Sequence, residues 1–377
     1  MIKMIGKKSQ TFAAISVLIG TMVGAGFLGI PYVVSKSGFI IGGTEIIILG
    51  LIMLFVNLLL GEVTLRTKGN HQLTGYAEKY IGKTGKTVML FSLLFGVFSA
   101  LLAYSIGISE SISYIIFGNM DSTLQIGVIF LTIMAVLTFF GKKTFKEGEI
   151  LGIFLMGVLL IGIVIYFTPK MELSNLAVIN LENTFIPFGT ILFAFLSLTA
   201  LPELERILEK QKGKMKKTII IGSLIPIIGY FFFTMVVIGS TGESVPEIAT
   251  LSMGKIFVLL GITAMLTSFL ALSIILKGVL HFDYRLSKGF SWGIVSFVSL
   301  ALFVLTYQLE LVSFTKVLNA SGIISGSLTA ILILIMADSA KRKGERKPEY
   351  SVNCNRFVEV LLIMIFLVGS VISLIKL

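Results

Sequence analysis

The stretch Gly20-Thr-Met-Val-Gly24-Ala-Gly26-Phe-Leu-Gly29-Ile-Pro31 lies inside the first long apolar run of a 377-residue chain. Glycine and proline both weaken a helix, so their density here predicts an interruption near the middle of a membrane span. At such a break, the N–H groups that begin one half-helix and the C=O groups that end the other are available to ligands. The simpler interpretation is that Gly20 and Gly24 form a close-packing face, which G-x-x-x-G spacing does in many membrane helices.

The composition around this stretch is that of a membrane protein. Apolar residues make up 55% of the chain and charged residues 14%, whereas a soluble domain carries about 25% charged residues. The net charge of +11 does not indicate a nucleic-acid binder, because the basic residues fall between apolar runs and not along one face. The single cysteine, Cys354, excludes an intramolecular disulfide, and two histidines leave little for a zinc or haem site.

Eleven apolar runs are long enough to cross a bilayer as helices, because about 20 residues span its hydrocarbon core. They cover residues 12–35, 40–64, 88–117, 123–140, 149–168, 185–204, 218–239, 253–280, 290–308, 314–337 and 356–376. The first run exceeds the length of a signal-peptide core and lacks a cleavage segment, so we retain it as a helix. The sequence therefore predicts one all-α transmembrane domain over residues 1–377.

Basic residues are concentrated on one side of this series of spans. Loops on that side hold 26 of the 31 Lys and Arg residues. Because such residues remain on the cytoplasmic side, the count predicts a multi-pass protein of the cell membrane with a cytoplasmic N-terminus. An odd number of spans then places the C-terminus outside.

The sixth run also contains residues that weaken a helix. Pro202 removes one backbone hydrogen bond, and the hydroxyls of Ser197 and Thr199 can bond to the freed carbonyls. A simple proline kink is the alternative to a full break. Runs one and six each begin a block of five, and five crossings invert the second block, as in an inverted-topology repeat. The predicted first block is 1–168, the second is 185–338, and an additional helix occupies 356–377.

The motifs in these runs resemble one known superfamily. The glycine-rich stretch at 20–31 looks like the first-helix signature of the amino acid/polyamine/organocation superfamily, particularly its hydroxy/aromatic amino-acid permease and amino acid/auxin permease branch. Phe193-Ala194-Phe195 followed by Ala200-Leu-Pro202-Glu203 is similar to the sixth helix of that branch, and Leu266–Leu272 with Asp283 resembles the eighth. Leu196-Ser197 departs from the glycine-rich pair expected there. The resemblance implies a 5+5 inverted repeat with helices 1 and 6 broken.

The resemblance also implies an amino-acid site at the two breaks. The substrate carboxylate would accept from the N–H groups of Gly24, Ala25 and Gly26, with help from the hydroxyl of Tyr104. The ammonium group would meet carbonyls of both breaks. Phenylalanine rings near the sixth break would pack on the substrate or close the path above it, although packing against protein or lipid is the commoner role of a phenylalanine in a chain with 30 of them. The implied substrate-binding set is Met22, Gly24, Ala25, Gly26, Tyr104, Phe193, Ala194, Phe195 and Ser197.

A coupling-ion site is implied in the same way. Carbonyls of Gly20 and Val23 would join the hydroxyls of Thr267 and Ser268, a set of oxygens that suits sodium. The alternative is that both hydroxyls bond to the preceding helical turn. The fifth run lacks the lysine that proton-coupled relatives can carry, which favours sodium and leaves proton coupling through a carboxylate open. Glu62, Glu110 and Glu203 are the candidates for coupling or gating. The alternative is a solvated ion pair for Glu62 and Glu203, and a structural carboxylate in contact with water for Glu110.

These features favour a secondary active, ion-coupled transporter of neutral or aromatic amino acids that works by alternating access. An amino-acid sensor and a transporter of another small amine or a nucleobase are the alternatives. The sequence contains no catalytic, nucleotide-binding or channel-filter motif, so neither an enzyme nor a channel is predicted. The expected partners are the substrate, a coupling cation and membrane lipid, with no cofactor, nucleic acid or obligate protein partner.

Overall fold

A computed structural model of the chain describes residues 7–24, 26–69, 71–140, 157–282, 284–309 and 313–376. Within these ranges the regular elements are helices and no strand occurs, which confirms the all-α class. Two residues of the sequence motifs, Ala25 and Asp283, lie outside the described residues.

Fifteen α-helices occur in the described ranges. They are α1 (Lys7–Met22), α2 (Gly26–Ser37), α3 (Phe39–Arg66), α4 (Leu73–Ile81), α5 (Lys83–Phe117), α6 (Thr123–Phe140), α7 (described over 157–167), α8 (Phe188–Ala194), α9 (Leu201–Ile207), α10 (Met215–Thr241), α11 (Lys255–Phe282), α12 (Lys288–Gln308), α13 (Phe314–Ser321), α14 (Ser327–Lys343) and α15 (Arg356–Ile375). A π-helical turn, Gly322–Gly326, joins α13 to α14, and we call it the π segment. The short amphipathic α4 lies between the second and third spans.

The helices account for all eleven predicted spans. Eight stretches in the described residues are long and apolar enough to cross a membrane, and the bent pair of α1 and α2 makes a ninth. The fifth span corresponds to α7, and the sixth is divided into α8 and α9. The division into two inverted five-span blocks stays a prediction.

The first span breaks at its glycines. Helix α1 ends at Met22, α2 begins at Gly26, and their axes differ by 50°. Pro31 lies inside α2, so the proline does not cause the interruption. The break therefore follows from the glycines, which lower the cost of leaving the helical conformation.

The sixth span breaks without a glycine pair. Helix α8 ends at Ala194, a short 3₁₀ turn covers Leu198–Ala200, and α9 begins at Leu201. Pro202 lies in the first turn of α9, where its missing N–H removes no intrahelical bond. The proline therefore starts the second half-helix, and the simple proline kink is excluded.

Segment 344–355 lies across one end of the bundle, and we call it the strap. We call this end, which carries Arg66 and Lys83, the basic end, and the opposite end, with Ser37 and Phe117, the far end. The buried carboxylate of Glu62 accepts from Arg66 Nε at 2.8 Å, from Ser351 Oγ at 2.9 Å and from the Val352 N–H at 2.7 Å. The predicted coupling residue Glu62 therefore anchors the strap to α3.

Two further contacts hold the strap in place. Tyr350 Oη donates to the Leu58 carbonyl at 2.8 Å, and burial, followed by the nearby Glu62 charge, raises the pKa of Tyr350. Glu345 pairs with Lys79 at 2.6 Å, and this hydrogen bond, the largest of several effects, lowers the pKa of the Glu345 carboxyl. The strap is thus bound to α3 and leads directly into α15, the last span.

Glu62→Gln is expected to loosen the strap, because the amide loses the charge that holds Arg66, Ser351 and Val352. Hydrogen bonds to a charged group contribute about 1.5–3 kcal/mol, so the strap should open more often. Limited digestion with trypsin should cleave after Arg346 several times faster than in the wild type. Glu78→Gln is the control, because its pair with Lys86 is exposed and such pairs contribute about 0–1 kcal/mol. Equal cleavage rates in the two variants would contradict the assignment.

Candidate functional site

The two helix breaks meet at one cavity. This main cavity has a volume of about 110 Å³. The first span contributes Thr21, Met22, Gly24 and Gly26, and the sixth contributes Phe193, Ala194, Leu196 and Thr199. Helices α5, α11 and α14, with the π segment, close the remaining sides. Backbone groups from two interrupted spans therefore face a single space.

Glycine allows the closest contacts around this cavity. A Cβ atom at Gly24 would lie 2.8 Å from Tyr104 Oη, and one at Gly26 would lie 2.8 Å from Phe193 Cδ1. The Gly26 position would also be 3.1 Å from Ala194 Cα, which is backbone. The absence of a side chain at Gly26 therefore lets the two breaks touch, and its absence at Gly24 makes room for the Tyr104 hydroxyl.

The backbone at the breaks presents donors from one side. The first N–H groups of α2 have no intrahelical acceptor, as at every helix start, and they carry the positive end of the helix dipole. The Gly24 N–H already donates to the Met22 carbonyl at 2.8 Å. The start of α2 is therefore the better donor for a carboxylate.

The backbone acceptors of both breaks are held by Tyr230 on α10. Its hydroxyl donates to the Met22 carbonyl at 2.8 Å and lies 3.4 Å from the Ala194 carbonyl oxygen. Its ring is fully buried and stacks on Phe27, with centroids 5.9 Å apart. Tyr230 is not among the predicted site residues, although a tyrosine inside an apolar span needs a hydrogen-bond partner and is a signal on that ground.

Two polar residues of α3 are also absent from the predicted site. Asn57 is fully buried and exchanges hydrogen bonds with Ser197, at 3.1 Å and 3.3 Å. Glu45 has one carboxylate oxygen that is buried without a hydrogen-bond partner in the described residues. Both lie in a strongly apolar run, where a polar side chain is itself a functional signal.

The structure brings most of the predicted substrate-binding residues together. Six line the main cavity: Met22, Gly24, Gly26, Tyr104, Phe193 and Ala194. Phe195 and Ser197 do not reach it. The ring of Phe195 packs on Tyr230 at 5.2 Å, and Ser197 points to Asn57 on α3. Ala25 lies outside the described residues.

A second cavity of about 100 Å³ adjoins the first and extends toward the basic end. It contains three of the four predicted ion-site residues, Gly20, Thr267 and Ser268. Val23 is buried and lines neither cavity. Thr267 donates to the Ala264 carbonyl at 3.0 Å, as the alternative interpretation expects, but its oxygen keeps lone pairs that can bind a cation.

The three candidate carboxylates lie in different places. Glu203 lines the second cavity at the start of α9, and its side chain is exposed. Glu110 is half-buried near the far end of α5, where Glu247 is close enough for mutual repulsion. Glu247 itself accepts from the backbone N–H and the hydroxyl of Thr315, at 3.0 Å and 2.9 Å. Since Glu62 on α3 binds the strap, Glu203 is the candidate among these three that lines one of the two cavities.

Known proteins resemble this chain over most of its length. The model of the tryptophan/tyrosine permease family matches residues 7–375. Glutamine transporter 2 of Aliivibrio fischeri is 26% identical over 362 residues, which cover 89% of this chain and 90% of the relative. Tyrosine-specific transport system 1 of Haemophilus influenzae is 23% identical over 395 residues and 96% of each chain.

A solved structure has the same fold. The crystal structure of MhsT in complex with L-phenylalanine superposes with a TM-score of 0.68, covering 96% of each chain at 15% sequence identity. At this identity the likeness concerns the arrangement of the helices, and it agrees with the all-helical transporter fold that the sequence predicts.

Proposed function

The chain belongs to the tryptophan/tyrosine permease family and is therefore an amino-acid permease and not an enzyme, and we propose that it carries neutral or aromatic amino acids through the cavity at its two broken helices. One observation carries this proposal. The start of α2 and the carbonyl ends of α1 and α8 meet at the same cavity, so donors and acceptors face each other across it. This pairing matches the carboxylate and the ammonium group of an α-amino acid.

The substrate carboxylate would bind at the start of α2. The free N–H groups and the dipole there favour an anion, and Gly26 lets the backbone approach it. Tyr104 Oη would donate to the same carboxylate, since it lies directly above Gly24. The ammonium group would donate hydrogen bonds to the carbonyls of Met22 and Ala194 and so displace the Tyr230 hydroxyl from them.

The rest of the main cavity is mostly apolar. Leu93, Val97, Ala100, Phe193 and Leu272 line it, and such a surface favours a hydrophobic or aromatic side chain. The names of the relatives support a neutral amino acid, because they specify tyrosine and glutamine. The choice among substrate side chains is therefore decided by the shape of the main cavity and by a few polar groups in its lining.

Sodium is the coupling ion that the second cavity supports. Its hydroxyls from Thr267 and Ser268 and the nearby carbonyl of Gly20 are hard oxygen donors, and this cation prefers such ligands. The donor set carries no charge, apart from the exposed Glu203 at the edge of the cavity. One sodium ion would thus bind beside the substrate and stabilise the same break.

Alternating access is supported by the difference between the two ends. The second cavity extends toward the basic end and the exposed Glu203. At the far end, a Cβ atom at Gly29 would lie 3.0 Å from Leu318 and one at Gly107 would lie 2.9 Å from Phe314, so the helices are packed closely. We assign the basic end to the cytoplasm, and this conformation is then the one open inward.

Thermal unfolding of the detergent-purified protein tests this proposal. L-tyrosine, L-phenylalanine and L-glutamine are added one at a time, in sodium chloride and in potassium chloride of equal ionic strength. A ligand that binds only the folded state raises the unfolding midpoint, so a rise confined to sodium is expected. A rise in both salts would contradict sodium coupling, and no rise with any amino acid would contradict the substrate class.

Thr267→Val together with Ser268→Ala should weaken the sodium dependence. Loss of oxygens that bind a cation costs about tenfold or more in affinity, read as the sodium concentration that gives half of the midpoint rise. Thr263→Val is the control, because Thr263 lies on the same helix and also donates to a backbone carbonyl, that of Leu259, but lines neither cavity. Uptake into vesicles then distinguishes a transporter from a sensor, which would bind without moving the substrate.

A further inference from the structure

Three hydroxyl groups meet at the wall of the main cavity that α5, the π segment and α14 form. They belong to Ser92 on α5, Ser325 in the π segment and Thr329 on α14. Ser92 Oγ donates to the Ser325 carbonyl at 2.9 Å and lies 2.6 Å from Thr329 Oγ1. All three side chains are buried, and Ser325 and Thr329 line the cavity.

One hydroxyl proton of this cluster is not used in a hydrogen bond within the cluster. Each hydroxyl carries a single proton and two lone pairs. Since Ser92 gives its proton to the Ser325 carbonyl, Thr329 must be the donor in the 2.6 Å contact. Ser325 Oγ lies 3.5 Å from Ser92 Oγ, which is longer than an ordinary O–H···O bond, so its proton and the lone pairs of Thr329 are available to a group in the cavity.

The backbone around the cluster is shaped to admit these hydroxyls. A Cβ atom at Gly96 would collide with Ser325 Oγ, so the glycine makes room for it. Ser325 lies in a π-helical turn, an irregularity that is frequent at functional sites. The neighbouring lining residues Leu93, Val97 and Ala100 are apolar. The two hydroxyls are therefore polar points on an apolar wall, an arrangement that fixes orientation in a binding site.

Distance decides which part of a substrate reaches the cluster. The Tyr104 hydroxyl lies beside Gly24, and Gly96 lies beside Ser325. The backbone positions of Tyr104 and Gly96 are eight residues apart on α5, or about 12 Å along the helix axis. A short side chain does not cross this distance, whereas an aromatic side chain with a polar end and a hydrogen bond at each end does.

We propose that Ser325 and Thr329 bind a hydrogen-bonding group at the end of the substrate's side chain and so make the permease select tyrosine over phenylalanine. This inference rests on the proposed function, since it takes the carboxylate to lie at the start of α2. The Ser325 hydroxyl donates to the phenol oxygen of tyrosine, and the phenol donates to Thr329 Oγ1. Phenylalanine fills the same space but offers no partner to the Ser325 proton or to the lone pairs of Thr329.

Competition for uptake in proteoliposomes tests the inference. Unlabelled tyrosine and phenylalanine compete with a labelled amino acid, and the ratio of their half-inhibiting concentrations is measured. The wild type should favour tyrosine by about tenfold, and Ser325→Ala or Thr329→Val should reduce that ratio about three- to tenfold, the value of one or two neutral hydrogen bonds. Thr329→Ser keeps a hydroxyl and should restore most of it.

Ser327→Ala is the matched control. Ser327 is two residues from Ser325 and equally buried, but its hydroxyl contacts Ser370 of α15 at 2.7 Å and lies outside the cavity lining. The control should keep the tyrosine-to-phenylalanine ratio even if it lowers stability. A ratio that is the same in wild type, Ser325→Ala and Thr329→Val would overturn this inference and leave the proposed function standing. Failure of the wild type to bind any amino acid would overturn both.

Discussion

Gly26→Ala is expected to reduce amino-acid uptake about 100-fold while the protein still folds. The added methyl group would lie 2.8 Å from Phe193 Cδ1 and 3.1 Å from Ala194 Cα. The ring of Phe193 can turn away, but the Ala194 backbone cannot, so the two breaks must separate. The backbone shift that relieves the contact is a few tenths of an ångström, and the added methyl group also occupies the start of α2, where we place the substrate carboxylate. Because a misplacement of about 1 Å alone costs on the order of 100-fold in rate, the two effects together are expected to reach that order. The initial rate of labelled tyrosine uptake into vesicles measures the effect.

Gly278→Ala is the control for this substitution. Gly278 lies in α11, and a Cβ atom there meets no heavy atom within 4 Å. The control should transport at the wild-type rate and melt at the same temperature or higher, since alanine is the better helix former. Uptake by Gly26→Ala above one tenth of the wild-type rate would refute the close contact between the breaks.

Gly322→Ala is expected to have the largest effect on stability. Gly322 begins the π segment, and its Cβ atom would overlap the Gly189 carbonyl oxygen and lie 2.9 Å from the Phe193 nitrogen. Both neighbours are backbone atoms of α8, so no side-chain rotation relieves the overlap. Overpacking costs about 1–3 kcal/mol where side chains can yield, and about 3 kcal/mol or more is expected for this rigid contact. The unfolding midpoint and the fraction of monodisperse protein after detergent extraction measure the effect.

Gly293→Ala on α12 separates this effect from the general cost of changing a glycine. The nearest atom to a Cβ there is 3.8 Å away, on Phe297, so the methyl group fits. An unfolding midpoint of Gly322→Ala equal to that of Gly293→Ala would show that the π segment does not press on α8.

The sequence predicts the first break because its cause is local. Four glycines within ten residues weaken a helix wherever the helix lies, and the break follows them. The second break is harder to locate, since Pro202 fits either a kink or the start of a half-helix. The end of α8 at Ala194 becomes clear in the structure, where Ser197 in the following segment bonds to Asn57 of another span.

The rest of the site depends on neighbours that are distant in the chain. In an α-helix one residue corresponds to a turn of about 100°, so a short half-helix such as α8 gives no pattern that fixes which residues face a cavity. The sequence therefore could not show that Phe193 lines the cavity and Phe195 does not. Glu62 binds a backbone group 290 residues later in the chain. Tyr230, on α10, contacts the backbone of both breaks. No local pattern encodes such contacts.

The Tyr230 hydroxyl has a consequence for the return half of the transport cycle. In the transport cycle that we propose, the carrier reorients without substrate after releasing it, and the ammonium group that we place at the Met22 and Ala194 carbonyls is then absent. In the conformation described here the phenol proton bonds to the Met22 carbonyl at 2.8 Å, and the Ala194 carbonyl oxygen lies 3.4 Å from the same hydroxyl. An unpaired carbonyl buried in the protein costs on the order of 1–3 kcal/mol, so this proton lowers the barrier to resetting. Tyr230 thus replaces the departed substrate, and the turnover rate of the unloaded carrier depends on a residue that the loaded carrier has to displace.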